Sequence, residues 1–362
     1  MNPTEKIWNT RKVEWDPISF VEEADGSISG GGLLYRPEKI LTLVNHDGTL
    51  TYEEGRDYVL EGARIVRTPE SRIPVLARDV YTAPYDGNPM ISWLALSERE
   101  RFMRIFPELY TYQVHATYET AEEWTGFRPG CGRDALSRSF EKLQKGGEFH
   151  LMFFGDSITA GWEASGCDEH PIDLRTGEEF HLRIDRYPHL PSWPEQVTRV
   201  LREAYPQAEI QKMNRAAGGS KTEWGVTEAE RLVCPHTPDL MILGFGMNSL
   251  QDPPEKFIAE IEAIIEKVRA ASPDCDVLVF SPMVPNSEVG GLTGHKLKAH
   301  EAALLALAER LPGVAAAPVY STFEEILNRG KSYYEISGNC INHPNDFSVR
   351  VYAQTILSAL GF

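Results

Sequence analysis

From residue 148 onward, short apolar runs alternate with amphipathic helical stretches, and that alternation constrains the fold more than any other feature of the chain. The runs at 149–155, 239–246, 276–282 and 313–319 are apolar almost throughout, as strands buried on both faces are, and a further strand falls at 209–214. In one intervening helix Phe257, Ile261, Ile264, Ile265 and Val268 recur on a single face. In the last helix Val349, Tyr352, Ala353, Ile356, Leu357 and Leu360 do the same. Buried strands alternating with helices predict an α/β fold with a parallel, flavodoxin-like sheet, and a ligand crevice at the carboxyl ends of its strands.

Upstream of residue 145 the character differs. Short β-branched and aromatic segments are broken by turn residues, and Asp47-Gly48 between two apolar runs signals a hairpin. The expected organisation is therefore a β-rich N-terminal domain, sandwich-like or jelly-roll-like, over 1–145, ending in a connector helix near 133–145, and an α/β domain over 146–362. A length of 362 residues suits two domains.

Acidic side chains outnumber basic ones 53 to 36, a formal charge of −17, which argues against a nucleic-acid partner. No run of 18 apolar residues occurs, so no membrane span is expected, and the first twenty residues do not read as a signal peptide. The five cysteines are scattered without a CxxC pair, which points to a reducing, cytoplasmic setting without a disulfide framework.

Polar loops close several of the strands. Gly155-Asp156-Ser157 ends the first, Asn214 to Ser220 follows the second, and Gly246-Met247-Asn248 follows the third. Asn342-His343-Pro344 precedes the last helix. Singly, each has an ordinary reading: an N-cap serine, a glycine turn, an asparagine bonded to its own loop, a structural histidine. Together they offer a hydroxyl nucleophile, two oxyanion donors and an imidazole base at the rim where a ligand is expected.

With these residues in order over 148–362, the chain resembles the SGNH (GDSL) hydrolase superfamily. The resemblance implies Ser157 as nucleophile and His343 as general base. It implies an oxyanion hole made by the Ser157 and Gly219 N–H groups with the Asn248 amide. No GxSxG elbow occurs, which counts against an ordinary α/β-hydrolase. Two positions depart from the family pattern: Ser249 stands where an Asp is usual, and Cys340 stands where an Asp normally precedes the histidine by three. Three substitutes for that acid are open. A backbone carbonyl near Cys340 or Ile341, giving a Ser–His dyad, is favoured. Asp346 is the second, although it also stands where a helix N-cap should, and Glu335 is the third. Cys340 itself reads as a small filler.

Other features carry weaker expectations. His295 and His300, five apart, read as solvated surface. The long insert 163–191 contains Asp168, His170, Arg183 and Arg186 and is framed by Trp162 and Trp193, as a loop bordering substrate or packing on another domain. Trp162 and Asp156 are candidate substrate contacts. The implied function is a serine esterase for short acyl groups, O-acetyl on carbohydrate foremost, acting through an acyl-enzyme. The order of a β-module before an SGNH domain lacking the usual acid is similar to a carbohydrate esterase family. The alternatives are a lipid esterase or acyl-CoA thioesterase, and, in another class, an inactive carbohydrate-binding protein. No cofactor or metal is expected. The partner is a small-molecule or oligosaccharide ester, with neither nucleic acid nor membrane, and a homo-oligomer is left open.

Overall fold

The computed structural model describes residues 4–362. Five parallel strands form the central sheet: β1 (Gly147–Gly155), β2 (Ala208–Asn214), β3 (Leu240–Gly244), β4 (Asp276–Phe280) and β5 (Val314–Ala317). Their order is β2-β1-β3-β4-β5, the flavodoxin-like arrangement expected from the alternation. Successive β1 side chains go to opposite faces. Met152 and Phe154 join one buried cluster with Phe257, Ile261, Ile264 and Val268. Leu151 and Phe153 join the other with Val197, Leu201, Val349 and Ile356. The strands are therefore covered on both sides, which is why they read as continuous apolar runs.

The topology reverses between β1 and β3, and there Gly155 pairs with Gly244. A Cβ on Gly155 would stand 2.1 Å from the Gly244 carbonyl oxygen, so only glycine permits this close approach. The ligand crevice of a doubly wound sheet opens at such a point.

The N-terminal region is antiparallel and β-rich. Lys12–Ile18, Val114–Glu119 and Lys39–Val44 make a three-stranded sheet with Val114–Glu119 in the middle. At the expected hairpin, Gly48 has φ +71° and Asp47 Oδ1 accepts the Thr49 N–H, but the returning strand contributes only the Val44–Thr51 bridge. The connecting helix spans Ser137–Lys145.

This region shares its hydrophobic core with the face of the sheet that carries the last helix; Ile18, Leu33 and Val114 belong to the same cluster as Phe347 and Val351. Polar contacts cross the boundary too. Lys331 Nζ lies 2.8 Å from Asp16 Oδ1 with both side chains fully buried, and it also donates to the Gly32 carbonyl at 2.8 Å. Glu335 accepts the Ser19 N–H at 3.2 Å.

The structure corrects the surface reading of both histidines: His295 is half-buried, its ring 5.8 Å from that of Tyr320 and its Nδ1 buried. His300 is not solvated: it is buried, its ring stacks on Phe257 at 4.2 Å, and Nε2 lies 2.9 Å from the Asp252 carbonyl. The i, i+5 spacing misleads because the helix Leu297–Arg310 begins between the two histidines, leaving His295 in the preceding loop.

Candidate active site

Ser157 stands just past β1 in a run of turns. No regular helix begins here. The next one, Trp193–Ala204, is capped by Ser192, whose Oγ accepts the Glu195 N–H, so the N-cap reading of Ser157 does not hold. Ser157 Oγ lies 2.9 Å from His343 Nε2, although the two residues are 186 positions apart.

His343 is presented by a tightly bonded loop. Asn339 Oδ1 accepts the N–H groups of Ile341, Asn342 and His343 at 2.9, 3.0 and 3.1 Å. Asn345 then caps the last helix, its side chain accepting the Ser348 N–H.

The acid was the open question, and the structure leaves the three sequence candidates aside. The Cys340 carbonyl accepts from Asn286 Nδ2 at 2.7 Å and the Ile341 carbonyl from Tyr333 Oη at 3.0 Å; neither takes a bond from the imidazole. Asp346 is not the helix cap, since Asn345 is, and its Oδ1 accepts the Ser165 N–H at 2.9 Å. Glu335 is bonded to Ser332 and Ser19.

Glu163, which sequence reasoning passed over, faces the ring instead. Its Oε1 lies 3.9 Å from His343 Nδ1, a buried nitrogen with no hydrogen-bond partner. Glu163 is itself 9 % exposed and sits at φ +70°, in the left-handed region that side chains seldom adopt. Arg186 secures it, donating to the Glu163 carbonyl at 2.9 Å and to its carboxylate at 3.3 Å. Arg186 in turn lies over the Tyr110 ring at 4.5 Å and reaches the Pro107 carbonyl at 3.4 Å, both in the N-terminal region. The signal available in the sequence was a carboxylate six residues after Ser157, at the start of an insert whose length already set it apart.

The loop that carries the oxyanion candidate Gly219 passes beside the serine. Gly219 has φ +82°, and its neighbour Gly218 packs so that a Cβ there would lie 3.8 Å from Ser157 Cβ and 3.5 Å from Trp162 Nε1. One N–H of the Asn248 side chain is held by the Ser220 carbonyl at 3.0 Å, fixing the direction of the other. Asn214 braces the loop from below, donating to the Thr159 carbonyl at 3.0 Å and accepting the Ala216 N–H at 3.2 Å.

The substrate-contact candidates separate. Trp162 borders the site, its ring 6.5 Å from that of His343 and its buried indole N–H unpartnered. Trp193 is core, fully buried against Phe153 and Phe280, with its N–H on the Ile158 carbonyl. Asp156 faces inward: it is 2 % exposed, and its Oδ1 accepts the Ile158 N–H at 3.0 Å, so it holds the turn. Burial pushes its carboxyl up to about 6, against the pull of its backbone hydrogen bonds and the nearby His343.

The chain matches the GDSL-like Lipase/Acylhydrolase family over residues 153–347, a span that contains Ser157, Glu163, Gly219, Asn248 and His343. It belongs to that family. No curated protein matches it. Among solved structures it is similar to a two-domain esterase active on acetylated mannans, at 20 % identity and TM-score 0.48 over 64 % of this chain. That match spans about half, 54 %, of the mannan esterase. It is also similar to an acetylxylan esterase from Geobacillus stearothermophilus, at 17 % identity and TM-score 0.46, covering 60 % of this chain and 97 % of that one. A putative GDSL-like lipase from Parabacteroides merdae is 16 % identical with TM-score 0.46, over 60 % of this chain and 97 % of that one. No helix among the described residues is long and apolar enough to cross a membrane.

Proposed function

We propose that this family member is a serine esterase that removes short acyl groups, O-acetyl foremost, from carbohydrate esters. The observation that carries the reading is the 2.9 Å contact between Ser157 Oγ and His343 Nε2, with the Glu163 carboxylate on the far side of the same imidazole. A hydroxyl hydrogen-bonded to an imidazole, itself faced by a carboxylate, is the arrangement that makes serine nucleophilic.

His343 Nε2 takes the Ser157 proton as Oγ attacks the ester carbonyl. The Ser157 and Gly219 N–H groups and the Asn248 amide receive the oxyanion. As the tetrahedral intermediate collapses, His343 returns the proton to the departing alcohol. Water, deprotonated by His343, then attacks the acyl-enzyme and frees the acid and Ser157. Throughout, Glu163 orients Nδ1–H and stabilises the imidazolium; contacts of this kind are often long before substrate binds.

The short acyl group is supported by the close packing beside the nucleophile, where a Cβ on Gly218 would lie 3.8 Å from Ser157 Cβ and 3.5 Å from Trp162 Nε1. The carbohydrate reading is supported by the Trp162 indole, a partly buried aromatic ring at the edge of the site, 6.5 Å from that of His343. An inactive binding protein is disfavoured, since the serine–histidine contact is intact.

The test is hydrolysis of the p-nitrophenyl acetate, butyrate, octanoate and palmitate esters, with acetylated xylo- and manno-oligosaccharides alongside and Ser157→Ala as control. Highest turnover on acetate, acetate release from the sugars and loss of both in the variant are expected. A maximum at octanoate or palmitate overturns the short-chain reading, and inactivity on every ester overturns the esterase.

A further inference from the structure

The insert after Ser157 folds into a two-stranded antiparallel ribbon in which Asp168 pairs with Arg183 and Glu169 with Leu182. Continued by one residue, this register sets His170 opposite His181. Because side chains alternate along a strand, Asp168, His170 and His181 share one face and Glu169 and Leu182 the other. The second face is anchored: Glu169 is buried and bonded to Lys212 Nζ at 2.7 Å and to Asn214 Nδ2 at 3.2 Å, while Leu182 is buried. The first face is outward, and there the three side chains each bring one ligand atom to within 4.8 Å of the other two. His181 Nε2 lies 2.6 Å from Asp168 Oδ1, and the His170 and His181 rings stack at 4.7 Å, 4° from parallel.

We propose that Asp168, His170 and His181 form a binding site for a divalent cation of the zinc class, which staples the two strands of the insert together. Two imidazoles and one carboxylate are the donor set that borderline ions such as zinc favour over magnesium or calcium, with water completing a tetrahedron. All three side chains are exposed, so their rotamers are free to adjust around an ion. The surrounding charges permit a cation. Arg183, across the strand from Asp168, is drawn to Asp185 at 3.4 Å, and Glu179, which pairs with Arg215 through Oε2, has Oε1 3.7 Å from His170 Nδ1.

The ion sits outside the reaction path but near it. Beyond His170 the insert runs back along the oxyanion loop: the Ile172 N–H donates to the Ala216 carbonyl at 2.8 Å, and a Cβ on Gly219 would meet Leu174 at 3.6 Å. Pinning the ribbon therefore steadies the wall beside Gly219.

The experiment titrates the chelator-treated full chain with zinc chloride by calorimetry, against His170→Ala/His181→Ala and, separately, the isosteric Asp168→Asn. Magnesium chloride serves as the negative control. One zinc per chain is expected in the unsubstituted protein, with affinity at least tenfold weaker in both variants and no heat with magnesium. Zinc should also raise the melting temperature of the unsubstituted chain and leave that of the double variant unmoved, a readout independent of esterase activity. A loss of affinity smaller than tenfold, no one-to-one binding in the unsubstituted chain, or equal binding of magnesium overturns the proposal.

Discussion

Gln113, in the N-terminal region, accepts a hydrogen bond from Asn345, the residue that caps the last helix two positions beyond His343, at 3.1 Å. Its own amide donates to the Tyr334 and Ser337 carbonyls at 2.7 and 2.9 Å. Gln113→Leu should therefore strand several buried polar groups around the histidine loop. The expected loss is about 2–4 kcal/mol of stability by urea denaturation, since each unsatisfied group costs roughly 1–3 kcal/mol. Turnover should fall as the position of His343 loosens.

If Glu163 steadies and charge-compensates the imidazole, Glu163→Gln should lower kcat by about 10- to 1000-fold, short of the roughly 10⁴-fold seen when the acid of a serine-protease triad is neutralised. KM for p-nitrophenyl acetate should stay within about twofold, because the carboxylate lies behind the imidazole. Glu163→Asp should recover part of the loss. Equal activity of the Gln variant and the unsubstituted chain would return the centre to a dyad.

Asp346 carries a linkage prediction. Burial raises its carboxyl to about 6, against its bonds to Ser165 and the pull of Arg186 and Arg350. A raised carboxyl means that the folded chain holds a proton which the unfolded chain has already released. Stability from this group is thus fully present below about pH 4 and declines as pH rises toward 6. Asp346→Asn should remove that component, flattening the stability–pH curve between pH 4 and 6 by on the order of 1 kcal/mol per pH unit. Urea midpoints across that range measure it.

The thiols should divide by exposure. Cys131 is exposed, whereas Cys167, Cys275 and Cys340 are buried. Burial pushes the Cys167 and Cys275 thiols up to about 12 and the Cys340 thiol well above its ordinary range. A thiolate-specific reagent at pH 8 should modify Cys131 quickly and Cys340 only on unfolding, without loss of esterase activity in the native protein. Rapid inactivation lost in Cys340→Ser would contradict the filler role of that side chain.

The parallel sheet was legible in the sequence because strands buried on both faces leave unbroken apolar runs, and Ser157 with His343 because each lies in a polar block next to such an element. Glu163 was not legible for a physical reason. The position of the usual acid is held by Cys340, and the carboxylate that faces His343 comes from a distant stretch of the sequence, on an insert held by Arg186 and Tyr110. His300 failed similarly: spacing assigns residues to a helical face only once the start of the helix is known, and no cap signal placed that start after His295. The N-terminal strands could be read one by one, but their union with the last helix rests on a shared hydrophobic core and on long-range bonds that no local pattern announces.

The buried Asp16–Lys331 pair bears on how such a chain can change over evolutionary time. Removing one partner of a buried pair strands a charge in the interior, at a cost of roughly 3–5 kcal/mol, much of the stability of an ordinary fold. A recombination event that exchanged the first 140 residues for an unrelated module would remove Asp16 and leave Lys331 with Glu335, 3.8 Å away, as its remaining ion partner. The two halves of the chain are thus matched to each other at this pair, so that an exchange of one asks for a compensating change in the other.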